Sequence, residues 1–324
     1  MDFRLAALQR WLGAQFRDAP FTLAPASEDA SFRRYWRLRF ADGRSLVAMD
    51  APPEKENCGP FLNVARLFAD AGAHVPRIHA EDLDAGFLLL EDLGNTTYLD
   101  FFRDHAPEAA YAAATDALIR IQLASRPGAL PEYDRVLLER ELRLFPDWYV
   151  ARELRHELAP EDARSLQSAF ESLLANNLAQ PRVFVHRDYH SRNLMVCEPL
   201  PGVLDFQDAV YGPITYDLVS LFRDAYVGWE EPQVLDWVVR YWEKARKAGL
   251  PVRADFAEFY RDFEWMGAQR QLKVAGIFAR LCHRDGKQRY LADIPRVLAY
   301  LHATCRRYGE LSPLARLLDT LAPA

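Results

Sequence analysis

Residues 183–196, VFVHRDYHSRNLMV, place a dense group of polar side chains between two short apolar runs that are typical of strands. Asp188 is followed five residues later by Asn193, and a second aspartate, Asp205, comes twelve residues after Asn193. Phosphoryl transfer needs an aspartate that orients the attacking hydroxyl and oxygen ligands that hold Mg²⁺ against the phosphates. The pattern HRDxxxxN, followed by DF, supplies these groups at the spacing seen in kinases. The segment therefore predicts a kinase-like catalytic site.

Residue chemistry suggests a role for each of these side chains. Asp188 is predicted to be the base that orients the acceptor hydroxyl, and Asn193 and Asp205 are predicted to be the Mg²⁺ ligands. His186 is a second candidate catalytic residue, although a histidine here more often orients the loop by bonding to backbone groups. We expect the apolar runs on either side of the loop to pair with each other as strands and hold it rigid.

Composition and charge argue against several classes of protein. The chain has 324 residues, 50% of them hydrophobic, so it can bury two domains or two lobes and leaves little room for disorder. A net charge of −6 without a lysine- or arginine-rich block argues against nucleic-acid and membrane-surface partners. The four cysteines are far apart, which argues against a zinc site or a disulfide framework. With neither a signal-peptide pattern nor a run of about 18 apolar residues, we expect a cytoplasmic protein.

Strand and helix patterns divide the chain into two parts. Period-two alternation in residues 32–40 and an apolar run at 87–90 predict a small antiparallel sheet, and residues 61–71 predict a helix beside it. Beyond this region the apolar residues follow helical periodicity over long segments. We therefore predict an α+β, two-lobed, protein-kinase-like fold, with a β-rich N-lobe in residues 1–92 and a helical C-lobe in residues 93–324.

The segment after Asp205 is too short to present a peptide substrate. Asp217, where a helix begins, comes only twelve residues after Asp205. A protein kinase would place a long activation segment and an A-P-E motif there, and neither is present. His190 also stands where protein serine/threonine kinases usually carry a lysine. These features predict a small-molecule acceptor, and Asp217 is predicted to cap its helix and brace the catalytic loop.

The catalytic loop resembles that of a known superfamily. HRDYHSRN (186–193) is similar to the H-G-D-x-H-x-x-N loop of the aminoglycoside phosphotransferase superfamily, which includes choline and homoserine-type kinases. The runs LLLEDLG (88–94) and GPITYDLVSL (212–221) match it too, and the resemblance covers about residues 25–300. It implies an aminoglycoside phosphotransferase-like fold with ATP as the phosphoryl donor.

A closer resemblance is to the bacterial anomeric sugar kinases of peptidoglycan recycling. It depends on MDAPPE (49–54), ERELRLFPDWYVARELR (139–155) and LDFQDAVYGPITYDLVSLFRDAYV (204–227). It implies Mg²⁺- and ATP-dependent phosphorylation of the C1 hydroxyl of N-acetylmuramate and N-acetylglucosamine, and we expect a monomer. Two alternatives stay open: another small-molecule kinase of the superfamily, such as an aminoglycoside phosphotransferase, and a catalytically weak nucleotide-binding module.

Candidate ligand-binding residues follow from the resemblance. The backbone of Glu91, Asp92 and Leu93 is expected to meet the adenine. A sugar carboxylate, such as the lactyl group of N-acetylmuramate, suits an arginine, and Arg223 is the candidate. The remaining candidates for acceptor binding are His190, Asp208, Asp224 and Tyr226, with Arg270 and Arg280 as alternative arginines.

The N-terminal part departs from the usual kinase pattern at the phosphates. The lysine that holds them should fall at Met49 or Asp50, and neither is cationic. We predict that the segment SEDASFRR (27–34) replaces it, with Ser31 and Arg33 as the candidate nucleotide-binding residues. Further candidate cations are Arg34 and Lys55.

Overall fold

The N-lobe is a five-stranded antiparallel sheet with a helix on each face. The computed structural model describes residues 2–17, 19–28 and 32–321. Along the sheet the strands follow the order β1-β2-β3-β5-β4. The elements are α1 (Phe3–Gln15), β1 (Phe21–Glu28), β2 (Arg34–Phe40), β3 (Ser45–Asp50), α2 (Cys58–Asp70), β4 (Ile78–Asp82) and β5 (Phe87–Glu91).

Alternating side chains of β5 contribute to two separate cores. Phe87 and Leu89 pack with Leu8 and Leu12 of α1. Leu88 and Leu90 belong to the main core, which includes α2 and continues into the C-lobe. Successive residues of a strand point to opposite faces of the sheet, so this single strand joins α1 to one face and α2 to the other.

The C-lobe is mainly helical, and its longest helix, α9, is buried along most of its length. Within residues 2–17, 19–28 and 32–321, no helix combines the length and apolar character that crossing a membrane requires. The helices are α3 (Tyr98–Phe101), α4 (Glu108–Leu123), α5 (Arg135–Leu142), α6 (Pro160–Leu178), α7 (Tyr216–Phe222), α8 (Glu231–Lys247), α9 (Phe256–Asp285), α10 (Ile294–Arg307) and α11 (Ser312–Leu321). The strands are β6 (Arg182–Val185), β7 (Leu194–Met195), β8 (Gly202–Val203) and β9 (Val210–Pro213).

The two-lobed α+β fold predicted from the sequence is confirmed, but the predicted pairing of the strands around the catalytic loop is wrong. β6 pairs with β9 and β7 pairs with β8, both antiparallel. β7 and β8 have only two residues each, too few for alternation to identify a strand or its partner. Two separate strand pairs therefore close the loop. The predicted lobe boundary at 92/93 falls in the connection between β5 and α3.

A π-helix follows α5 and packs closely against α9. It spans Phe145–Glu153, with Pro146 in its first turn. Gly276 of α9 faces its start: a Cβ at this position would lie 2.3 Å from the carbonyl carbon of Leu144. The absence of a side chain at Gly276 is thus what allows the two backbones to approach, because even a methyl group would overlap.

Gly276→Ala should destabilise the protein, since the added methyl group would force α9 away from the Leu144 backbone. We expect a loss of about 2 kcal/mol in the free energy of unfolding, typical of overpacking, measured by urea denaturation. Gly13→Ala in α1 is the matched control, because a Cβ there would meet no neighbouring atom within 4 Å. That change should stabilise by up to about 1 kcal/mol through helix propensity. Similar effects at both positions would contradict the close approach.

Candidate active site

The catalytic loop, residues 186–193, is held by the buried carboxylate of Asp217. Its Oδ2 accepts from the N–H of His186 at 2.6 Å and its Oδ1 accepts from the N–H of Arg187 at 2.9 Å. Arg187 has φ of 79°, a conformation that these bonds help to hold. Burial raises the pKa of Asp217 to about 7, although both N–H donors favour the ionised form. The predicted bracing role is confirmed, whereas the predicted helix cap is wrong because the residue lies inside the first turn of α7.

A second carboxylate holds the far half of the same loop. Asp224 is fully buried, and its two oxygens accept from the N–H of Ser191 and the N–H of Tyr226, each at 2.8 Å. The sequence placed Asp224 among the acceptor-binding candidates. The structure corrects this, because both of its oxygens are occupied by backbone donors and the side chain has no exposed surface. Asp224 therefore positions the loop.

His186 joins the catalytic loop to the segment that ends in Asp205. Its Nε2 lies 2.9 Å from the carbonyl oxygen of Leu204, and its Nδ1 accepts from the N–H of Asp188 at 3.2 Å. Burial lowers the pKa of His186 to about 4, so the ring is neutral near pH 7. Since Nδ1 accepts, Nε2 carries the proton and donates it to Leu204. Both nitrogens serve the backbone, which favours the orienting role over direct catalysis.

The structure brings together the three side chains predicted for phosphoryl transfer. Nδ2 of Asn193 donates to the backbone oxygen of Asp188 at 3.0 Å and to Oδ2 of Asp205 at 3.3 Å. Gln207 donates to Oδ1 of Asp205 at 2.8 Å. Asp205 has φ of 61°, a backbone strain that is typical of functional residues. Because the amide nitrogen of Asn193 is the donor in both bonds, its oxygen is left for another ligand, and carboxylate and amide oxygens suit a hard cation such as Mg²⁺.

The charge of Asp188 is stabilised by cations behind the loop. Burial works to raise its pKa, but nearby positive charges, with Lys273 the largest contributor, lower it to about 2. Lys273 is itself buried on α9, where its Nζ lies 3.1 Å from Oε1 of Glu141 and donates to the hydroxyl of Tyr216 at 2.8 Å. Asp188 is therefore ionised at any physiological pH and available to accept a hydrogen bond from an acceptor hydroxyl.

Glu141 is the centre of a buried polar group that the sequence did not reveal as functional. It pairs with Arg187 and Lys273, and it accepts from Tyr133 and from Nε2 of Gln269, the last at 3.3 Å. We call these five residues the Glu141 cluster. They come from α5, the segment just before it, α9 and the catalytic loop, so only the fold brings them together. The segment ERELRLFP around Glu141 contributed to the family resemblance, but nothing in it indicated this role.

A cavity of about 370 Å³ lies between the lobes, beside Asn193 and Asp205. Val47 of β3, Leu90 of β5 and the segment 91–95 form its other walls. Its size and mostly apolar walls suit an adenine ring, with the chain after β5 offering backbone groups.

The side chains of Glu91 and Asp92 are directed to partners within the protein. The Glu91 carboxylate accepts from the N–H of Arg77 at 3.2 Å and lies 3.4 Å from Nε2 of His74. The Asp92 carboxylate lies 2.7 Å from Nε of Arg37. Leu93 is buried. Nucleotide contacts at these three residues stay a prediction, and the backbone is the part of them that would make such contacts.

The two β3 positions at which a kinase lysine was expected, Met49 and Asp50, both have structural roles here. Met49 is fully buried in the main core, on the α2 side of the sheet. Asp50, on the opposite face, is fully buried and forms ion pairs with Arg4 and Arg34. Arg34 is thereby committed to a structural pair and is not free for phosphates. Ser31 lies outside the described residues.

Arg33 and Lys55 lie near the start of α2. Nη2 of Arg33 lies 3.2 Å from Oε2 of Glu56, and both side chains are mostly buried. Glu56 also accepts from the N–H of Phe32 at 3.2 Å. Nζ of Lys55 lies 4.5 Å from the centre of the Phe32 ring. The Arg33–Glu56 pair thus connects the end of segment 27–34 to the chain just before α2.

Arg223 is buried and paired inside the protein, and this corrects the prediction that it binds a ligand carboxylate. Its Nη2 lies 2.8 Å from Oε1 of Glu264 and its Nη1 donates to Thr304 at 3.0 Å. The side chain is only 7% exposed and Glu264 is only 1% exposed. A guanidinium with an internal carboxylate partner has no need of a second one from a ligand.

The other acceptor candidates lie around the catalytic loop with different exposure. His190 is buried, its Nδ1 has no hydrogen-bond partner within the described part of the chain, and its ring lies 5.3 Å from that of Tyr226. Tyr226 carries the Arg192 guanidinium 3.7 Å above its ring. Asp208 is exposed, and its backbone oxygen accepts from Arg187 at 3.4 Å. Of the acceptor candidates, His190 thus lies two residues after Asp188 on the loop, and Tyr226 contacts the His190 ring.

Lys273→Met should raise the pKa of Asp188, because it removes the cation that lowers this pKa most. The fraction of ionised Asp188 would then fall at acid pH, so the acid limb of the kcat–pH profile should move up by about 1 pH unit. Lys244→Met is the control, since Lys244 is exposed and pairs with Asp116 away from the loop. An unchanged acid limb in a folded Lys273→Met enzyme would contradict this electrostatic role.

Comparison with known proteins identifies the family. The profile of the Phosphotransferase enzyme family matches residues 22–256. An N-acetylmuramate/N-acetylglucosamine kinase of Neisseria meningitidis is 54% identical over 322 residues, covering 98% of this chain and 96% of the relative. A protein of the same name from Pseudomonas putida is 50% identical, covering 99% and 97%.

Solved structures agree in fold. A choline/ethanolamine kinase family protein from Mesorhizobium loti has a TM-score of 0.65 at 15% identity and covers 98% of this chain and 100% of its own. An aminoglycoside phosphotransferase with ADP bound has a TM-score of 0.59 at 13% identity, covering 93% and 98%. These structures place the chain in the same two-lobed fold, and the profile and the full-length relatives show more: the chain belongs to the phosphotransferase enzyme family of small-molecule kinases, as its catalytic loop predicted.

Proposed function

We propose that this protein is an ATP-dependent anomeric sugar kinase that phosphorylates the C1 hydroxyl of N-acetylmuramate and N-acetylglucosamine. The observation that supports this most is the near full-length identity of 50–54% with proteins named N-acetylmuramate/N-acetylglucosamine kinase. The grouping of Asp188, Asn193 and Asp205 supplies the chemistry that such an enzyme needs. We keep the predictions of a cytoplasmic monomer that needs Mg²⁺.

In the proposed reaction, the carboxylate of Asp188 accepts a hydrogen bond from the C1 hydroxyl and orients its oxygen toward the γ-phosphorus. The new bond joins the C1 oxygen to this phosphorus, and the bond between the phosphorus and the β-phosphate oxygen breaks, which releases ADP. The hydroxyl proton passes to Asp188. Since the pKa of Asp188 is about 2, the residue is a weak base, so its main contribution is orientation. This suits a loose transition state, in which the nucleophile needs little deprotonation early on.

Asn193 and Asp205 are proposed to hold Mg²⁺, which would neutralise the negative charge of the phosphates when bound. Arg33 is proposed to meet the phosphates from the N-lobe. Its pair with Glu56 at the start of α2 has the same chemistry as the lysine–glutamate pair of protein kinases, with arginine supplying the positive charge. Arg192 of the catalytic loop lines the cleft beside Asn193 and is a second cation near the proposed phosphate position.

An acceptor screen tests the proposed substrate. Purified protein with ATP and Mg²⁺ is offered N-acetylmuramate, N-acetylglucosamine, choline and kanamycin, and any product is analysed by ³¹P NMR. A phosphate linked to C1 of the acetylated sugars is the expected result. Transfer to kanamycin or choline alone would replace the proposed acceptor with one of the alternatives considered from the sequence.

Asp188→Asn should lower kcat by about 10³-fold, within the range for loss of a positioned acid–base group, because an amide cannot accept the hydroxyl proton. ATP affinity, measured by calorimetry, should change by less than about threefold, since Asp188 lies on the acceptor side of the phosphates. Asp236→Asn, at an exposed pair with Arg240, is the matched control and should retain activity. Retained activity in Asp188→Asn would exclude the proposed role.

A further inference from the structure

Arg270 is a buried arginine without a partner. It lies on α9, is only 4% exposed, and its Nε has no hydrogen-bond partner within residues 2–17, 19–28 and 32–321. In the same described part of the chain, no carboxylate lies within ion-pair distance of its guanidinium. Its neighbours on the helix differ, because Gln269 and Lys273 both contact Glu141.

A buried guanidinium without a counterion is costly, and folded proteins pair such charges almost without exception. Two other buried cations beside α9 follow this rule: Arg223 pairs with Glu264, and Lys273 pairs with Glu141. Arg270 differs from them, because the described part of the chain supplies it with no acidic partner. A bound ligand is the remaining source for its anion.

The position of Arg270 restricts which ligand can supply that anion. Its charge acts on Asp188, His190 and Asp217, so the guanidinium lies close to the catalytic loop, yet it forms an ion pair with none of them. The residues that line the cleft between the lobes include Arg192, Asn193 and Asp205, but not Arg270. Arg270 is thus not part of the walls of that cleft, which leaves the acceptor side of Asp188 as the place where it would meet a ligand.

His190 adds a second unsatisfied group on the same side. It is 8% exposed, and its Nδ1 has no partner in the part of the chain that the structure describes. Burial lowers its pKa, so it is a neutral donor or acceptor of hydrogen bonds. A buried cation and a buried neutral imidazole, each with a nitrogen that lacks a partner among the described residues, suit a ligand with one carboxylate and several hydroxyl or amide groups.

We propose that Arg270 binds the carboxylate of the acceptor and so makes the enzyme favour an acidic amino sugar over a neutral one. This inference rests on the proposed function, in which N-acetylmuramate carries a lactyl carboxylate and N-acetylglucosamine carries none. The lactyl group is attached through the oxygen on C3, two ring carbons away from C1. With the C1 hydroxyl on Asp188, the carboxylate lies away from Asp188 itself, which fits a cation that is near this aspartate without pairing with it. The planar fork of arginine suits two parallel bonds to a carboxylate.

Steady-state kinetics of Arg270→Ala with both sugars tests this inference. The value of kcat/KM for N-acetylmuramate should fall about 100-fold, the size expected when one partner of a buried charge pair is removed, and the value for N-acetylglucosamine should change less than about threefold. The value of kcat/KM for N-acetylmuramate should fall by an intermediate amount in Arg270→Lys, because lysine keeps the positive charge but lacks the planar guanidinium that makes two parallel bonds. Arg261→Ala is the matched control on the same helix, since Arg261 is exposed and pairs with Glu310.

A change in the substrate should reproduce the change in the enzyme. The methyl ester of N-acetylmuramate lacks the negative charge, so wild-type enzyme should use it about as poorly as Arg270→Ala uses the acid. The Arg270→Ala enzyme should show about the same kcat/KM for N-acetylmuramate and for its methyl ester. Because the variant loses a buried unpaired charge, its thermal midpoint without ligand should equal or exceed that of wild type, whereas the upward shift caused by N-acetylmuramate in wild type should disappear.

The remaining outcomes separate a failure of the proposed kinase function from a failure of the proposed role of Arg270. Equal losses for both sugars in Arg270→Ala would overturn the carboxylate role and assign the residue to the phosphoryl group or to Asp188. Unchanged kinetics with both sugars would overturn it as well. If wild-type enzyme phosphorylates neither sugar, the proposed function fails first and the inference falls with it. If wild type uses both sugars and the variant keeps their ratio, only the inference about Arg270 fails.

Discussion

The two backbone N–H groups that donate to Asp217 hold the geometry on which the active site depends. They fix the start of the catalytic loop in a conformation that a non-glycine residue rarely adopts, and Asp224 does the same for its second half. Asp188 is thereby presented from a loop whose backbone bonds are satisfied on both sides. Catalysis by positioning requires this rigidity, because the hydroxyl gains reactivity mainly from its placement.

Charge balance around the loop is the second constraint. Glu141 forms ion pairs with Arg187 and Lys273, and this one carboxylate allows both cations to be buried near Asp188. Asp188 remains ionised because the surroundings stay positive overall. Arg270 contributes to that positive field without a carboxylate of its own, which reduces stability in the free enzyme and provides a place for an acidic ligand. Such a conflict between stability and function is common at active sites.

The N-lobe lacks the lysine that other kinases carry on this strand, yet it keeps the fold. The alternation of β3 puts Met49 toward the main core and Asp50 toward α1, where two arginines pair with it. The position that holds a lysine in other kinases therefore serves packing here. The cation that we propose in its place is Arg33, which pairs with Glu56 just before α2. Because both faces of the central strand β3 are buried, a side chain on this strand packs or pairs inside the protein.

The grouping of Asp188, Asn193 and Asp205 could be predicted from the sequence, because the three residues lie in one loop and in the short segment just after β8. Hydrophobic periodicity likewise predicted two lobes. Which arginine has a partner could not be predicted, since Glu264 reaches Arg223 across 41 residues and no residue does so for Arg270 in the described chain. The physical reason is that ion pairing between helices depends on side chains distant in sequence, which no local pattern records.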